Sequence, residues 1–145
     1  MKRLERLHRA NEYLRGFSLP GYEVVPVRVV SQADATSRLA RLSGDQVLIA
    51  RPELHQDGNS DRHRDSISLA FFVLAKDLGP ASSPEAEDEL FGRLEKIASD
   101  VLTKLADDTT SCGLLAGLSL TSADVVPENT IFGGWTGYSI DVTLE

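Results

Sequence analysis

The spacing of apolar and polar positions divides the chain into helices and strands before any chemistry is considered. The clearest helical stripe lies within residues 84–106, where Leu90, Phe91, Leu94, Ile97, Ala98, Val101, Leu102 and Leu105 recur at helical spacing. At 100° per residue they fill an arc of roughly 140°, which predicts a helix with one buried face. Ser83 is placed to cap it and Pro84 to take its first position, with Ser82 and Glu85 as an alternative capping box. Glu85, Glu87, Asp88 and Glu89 put negative charge at the positive end of the helix dipole. Glu89–Arg93 and Asp100–Lys104 are spaced to pair on the outer flank.

Strand patterning surrounds this helix. In residues 66–78, Ile67, Leu69, Phe71, Val73 and Ala75 alternate on one face, while Phe72 and Leu74 make the other face apolar. That predicts a central strand covered on both sides. Residues 46–50 form a short apolar run that would pair with it antiparallel across a loop at 51–65. Residues 112–126 read as a strand with Leu114, Ala116, Leu118 and Leu120 on one face, and 127–134 as a turn. Residues 135–145 close the chain with Tyr138, Ile140, Val142 and Leu144 facing inward. Upstream, 2–15 predicts a helix ended by Gly16, Pro20 and Gly21, and 22–30 a strand. Pro26 confines that strand to an edge or a bulge. A short helix follows from Ser31, through Leu39 and Leu42, to Gly44. The expectation is a single α+β domain over 1–145: a largely antiparallel sheet of four to five strands, the long helix on one face, and two smaller helices.

Composition narrows the function classes. A chain of 145 residues with 41% hydrophobic and 26% charged residues is globular in make-up. At that size it buries roughly 68–70% of its unfolded surface. A net charge of −7 argues against a general nucleic-acid binder, which needs a basic field. The single cysteine, Cys112, excludes an internal disulfide and a cysteine zinc cluster, and its apolar context predicts burial. No apolar run is long enough for a signal core or a membrane span, so a cytoplasmic protein is expected.

Candidate chemistry centres on residues 55–65, HQDGNSDRHRD. Asp57 to Asp61 imitates the start of a calcium loop, but Arg62 stands where glycine is required and Ser68 where a bidentate glutamate is required. His55 and His63 with Asp57 or Asp65 are chemically suitable for zinc, yet Arg62 and Arg64 would crowd the ion with positive charge. The expected reading is a polar hairpin loop turning at Asp57-Gly58 or Gly58-Asn59, with no metal or cofactor. No phosphate-binding glycine loop precedes a helix, and no nucleophile motif accompanies the histidines, so a non-enzyme is expected. Trp135, beside Phe132 and Gly133-Gly134, is either covered by a helix or an anchor for a partner subunit.

The segment SISLAFFVLAKD, the helix at 84–106 and the ending GGWTGYSIDVTLE follow one another in an order that resembles the small tail-terminator, or tail-completion, proteins of long-tailed phages and prophages. The resemblance spans Val47 to Glu145 in element order; the strand at 22–30 and the helix at 31–42 depart from the simplest form. It implies a non-enzymatic homo-oligomer, often hexameric, closing as a ring between tail tube and head connector. It also implies subunit or tube contacts through the loop at 51–65, with Arg62, His63 and Arg64, and through the edge at Phe132 and Trp135. Two other readings stand beside it: a small ligand-binding or regulatory domain with a pocket between sheet and helix, and a metal-dependent enzyme using residues 55–65.

Overall fold

The computed structural model describes residues 2–26, 32–59, 62–79 and 82–145. Along the chain come α1 (Lys2–Arg15), β1 (Val24–Pro26), α2 (Gln32–Leu39), β2 (Gln46–Ile49), β3 (Glu53–Asn59) and β4 (Arg62–Lys76). They are followed by α3 (Pro84–Thr110), β5 (Leu120–Ile131) and β6 (Trp135–Leu144). The strands form one sheet in the order β1-β2-β4-β6-β5, with β3 also paired to β4. Only β1 and β2 run parallel; every other pair is antiparallel. The fold is α+β, as the pattern predicts, with β3 as a sixth strand.

The central position of β4 follows from its two apolar faces. Ile67, Leu69, Phe71, Val73 and Ala75 are buried together with Val47, Ile49, Ile140, Val142 and Leu144 beneath α1 and α3. On the opposite face Leu48, Leu74 and Trp135 form a second, smaller core with Ala35 and Leu39 of α2. From α3, Leu90, Leu94, Ile97, Ala98, Val101 and Leu105 are buried, the stripe the sequence marks. Each large side chain among them contributes about 1.5–3 kcal/mol of hydrophobic stabilisation. Tyr138 packs edge-on against Phe91 with ring centroids 5.5 Å apart.

Ser83 caps α3, its hydroxyl accepting from the Ala86 amide at 3.2 Å, and Pro84 takes the first turn. The far end runs on to Thr110 instead of stopping at 106. Thr109, Thr110 and Ser111 hydroxyls donate to the carbonyls of Ala106, Asp107 and Asp108 at 2.8, 2.8 and 3.0 Å, occupying acceptors that a helix end leaves open. Tyr13 of α1 donates to Asp108 at 2.6 Å, and Lys104 pairs with Asp108 at 3.1 Å, which ties α1 to this last turn. The ion pairs therefore differ from those expected along the helix. Arg93 reaches Asp45, ahead of β2, at 2.6 and 3.0 Å, and Tyr22 donates to Asp100 at 3.4 Å.

Three further expectations are corrected. Residues 112–119 are turns, not strand: Ala116 and Leu118 amides donate to Gly113 and Leu115 carbonyls, both at 3.1 Å, and Gly117 takes φ +84°. Leu115 is fully buried there, Leu114 is 44% exposed, and Cys112 is exposed. The next strand starts at Leu120 and continues through Pro127 to Ile131, so the turn is confined to 132–134. The stretch at 51–65 is largely ladder: Asp57 pairs with Arg64, Gly58 with His63 and Asn59 with Arg62, so neither Asp57-Gly58 nor Gly58-Asn59 makes the turn. Its connection at 60–61, like the expected strand at 27–30 and the Ser31 cap, lies outside the described residues.

Candidate functional site

Strand alternation gives the sheet one fully covered face and one that is half open. On the open side β4 presents Ser68, Ala70 and Phe72, between buried Ile67, Leu69, Phe71 and Val73. In register beside them come Thr143, Asp141 and Ser139 of β6, then Ser122, Asp124 and Val126 of β5. The eight-residue α2 covers only the end of this face near Leu48, Leu74 and Trp135.

Below α2 lies a groove of about 290 Å³ lined by Ala50, Arg51, Glu53, Ala70, Phe72, Glu128, Ile131 and Phe132. Its floor is apolar, with Phe72 and Phe132 edge-to-face at 5.1 Å. Its position follows from a bulge. Ile49 pairs with Phe71 and Glu53 with Ser68, so Ala50, Arg51 and Pro52 face only Ala70 and Leu69. The Ala50 amide still donates to the Ala70 carbonyl at 2.9 Å. Pro52, which has no donor, is buried at this break.

The surroundings of the groove are acidic. Asp141 has its carboxyl pushed above the usual carboxylate range, first by desolvation and then by the charges of Asp124, Glu128 and Glu53. Glu128 is held in place by the Ser139 hydroxyl, which donates to it at 3.1 Å. These carboxylates come from three strands, Glu53 from β3 and the others from the distant β5–β6 hairpin. The sequence does not reveal their convergence, because β5 is displaced from its expected position and residue 128 reads as turn.

A second cavity, of about 420 Å³, opens between the loop after β4, the first turns of α3 and the end of the β5–β6 hairpin. Asp77, Glu87, Asn129, Thr130 and Thr136 line it. The Thr136 hydroxyl donates to Asp77, lies 3.2 Å from Asn129 Oδ1, and accepts from the Thr130 amide at 3.4 Å. Thr130 takes φ +53°, a left-handed conformation uncommon for a β-branched residue.

The residues expected at an interface are not brought together. Trp135 is 3% exposed beneath α2, with Lys76 Nζ 5.8 Å from its ring centroid, so its surface is already used within the chain's own fold. Phe132 is half-buried in the groove and takes φ +51°. Arg62, His63 and Arg64 occupy the far end of β4, where among the described residues the strand pairs with β3 alone. His55 stands opposite Ser66 and His63 opposite Gly58 in the ladder. His55 lies 3.5 Å from Glu53. Among the described residues no group of three or more His, Cys, Asp or Glu is placed to hold a metal ion. Among them, too, no helix is long and apolar enough to cross a membrane. No protein-family model matches the chain, and no curated protein matches it.

Proposed function

We propose that this protein is a non-enzymatic structural subunit that assembles with copies of itself into a ring, in the manner of a phage tail terminator, at the junction of a tail tube with its head connector. The observation that carries this reading is the β3–β4 ribbon. β6 accompanies β4 only as far as Ile67, whose partner is Leu144, so among the described residues Arg62 to Ser66 have β3 as their one strand partner. A two-stranded ribbon is marginal by itself in water and gains stability by lying on another surface. Its sequence, HQDGN on one strand and RHRDS on the other, offers hydrogen-bonding and charged groups in place of apolar ones. Such a ribbon suits a polar contact with a neighbouring subunit. Native mass spectrometry and light scattering of the full chain at low salt test the proposal. A closed oligomer of defined stoichiometry supports it, and a monomer of 15.8 kDa up to high concentration refutes it.

A second reading is favoured by the 420 Å³ cavity, where two carboxylates and a left-handed Thr130 gather at the end of the sheet. In that reading the protein is a small regulatory or ligand-binding domain for a compact, polar or cationic molecule. Thermal-shift screening with small amines and polyols separates it from the first. Stabilisation that rises with ligand concentration and is lost in Asp77→Ala favours the pocket.

A further inference from the structure

The acidic groove and the basic N-terminal helix lie on opposite faces of the sheet. α1 packs through Ala10 and Leu14 into the core it shares with α3. The groove is built on Ala70 and Phe72, which face the other way. α1 therefore cannot reach the groove of its own chain. Its composition is nonetheless the complement of the groove's surroundings: five basic residues against two acidic ones, in a chain whose net charge is −7. Arg6 is exposed on α1, and Leu4 is 61% exposed, the most exposed large apolar side chain among the described residues. Across the molecule, the groove offers an apolar floor of Phe72, Ile131 and Phe132, lined by Glu53 and Glu128 with one cation, Arg51, and with Asp141 and Asp124 close to those two glutamates.

We infer that the groove receives the N-terminal helix of a second copy of this chain, with Leu4 seated on the Phe72–Phe132 floor and Arg6 beside the carboxylates. The inference rests on the self-assembly proposed above and supplies its interface. Two different surfaces on opposite faces make a heterologous contact, which propagates head to tail until a ring closes. Opposite charge sets the direction of approach, while the leucine supplies apolar burial at the centre of the contact. The carboxyl of Asp141, held protonated more readily by desolvation and then by its acidic neighbours, gains a cationic partner when the groove is filled.

The test uses the full chain and two variants altered only at exposed or half-exposed positions. Leu4→Asp spoils the knob and leaves the groove intact; Glu53→Lys with Glu128→Lys spoils the groove and leaves the knob intact. Each variant is expected to be monomeric in light scattering, with an unchanged far-UV circular dichroism spectrum. Mixed in equal amounts, the two variants retain one intact knob and one intact groove between them, so a two-chain species is expected in native mass spectrometry. Variants that keep the wild-type oligomeric mass overturn this interface while leaving ring assembly standing. Two monomeric variants that fail to combine overturn the head-to-tail pairing, and a monomeric wild type overturns both the interface and the assembly.

Discussion

Glycine-to-alanine substitution at two positions should act with opposite signs, and the pair tests the packing of the sheet against α3. Gly137 lies in β6, paired with Leu74 on one side and Glu128 on the other. A Cβ there would run into the Val73 carbonyl oxygen and come within 3.0 Å of Leu94 Cδ1. Leu94 is fully buried and Val73 belongs to the central strand, so neither neighbour can swing into solvent. Overpacking a tight core costs typically 1–3 kcal/mol. Because the main obstacle is backbone, which has no alternative rotamer, Gly137→Ala should reach the top of that range, about 3 kcal/mol. For a chain of this length each 1 kcal/mol shifts Tm by about 2–4 °C. The expected loss is therefore roughly 6–12 °C in a circular dichroism melt, with a matching fall in the urea midpoint at unchanged slope. Gly92 is the control: it is exposed on α3 with nothing within 4 Å of an added Cβ. Gly92→Ala should stabilise by about 0.5–1 kcal/mol through helix propensity. A Gly137→Ala protein melting within about 2 °C of wild type would refute the contact between β6, β4 and α3 described above.

Asp141→Asn should stabilise the protein at neutral pH. The folded-state pKa of Asp141 is raised above its usual value of 3.8, so the ionised carboxylate is penalised in the native state, and stability from this group is gained as pH falls through the raised value. The advantage of the Asn variant in chemical denaturation should shrink on acidification toward pH 4; an advantage independent of pH would show that neither desolvation nor the charges of Asp124, Glu128 and Glu53 raise the pKa of this group. The outer edge of β5 should be guarded by its own sequence, since Pro127 lacks an amide donor, Asp124 and Glu128 are charged, and the register shifts at Leu120/Ser122 and Glu128/Ile131. Replacing Pro127 and Asp124 with threonine, beside exposed Val125 and Val126, should produce concentration-dependent β-rich aggregates in light scattering and thioflavin fluorescence, and a double variant as soluble as wild type would show the edge to be protected by other means.

The hydrophobic pattern reads buried faces, and its successes and failures in this chain divide along that line. Residues 84–106 and 135–144 were legible because each carries one stripe or one alternating face that is buried in the structure. β4 was legible because both faces are apolar in its central stretch. Residues 112–118 misled because Leu114, Ala116 and Leu118 alternate as in a strand, whereas α3 continues to Thr110 and the chain must then reverse through Gly113 and Gly117. The sequence leaves Trp135 open between a covering helix and a partner's contact because the second core beneath α2 is assembled from a few residues of separate elements, Leu48 and Leu74 from two strands and Ala35 and Leu39 from α2.

The segments the pattern could not see are the ones that define the candidate surface. β3 and β5 are almost without buried side chains among the described residues, so neither shows a period of two in hydrophobicity. Backbone pairing is their main tie, β3 along β4 and β5 along β6, with only Leu54, Leu120 and Ile131 packed against the cores and with Glu53, Asp124 and Glu128 outside them. A strand whose side chains are not spent on its own core has them available for another molecule. The same physical fact therefore accounts for both results. Sequence periodicity missed the acidic groove because its carboxylates take no part in the core, and for that reason those carboxylates remain at the surface.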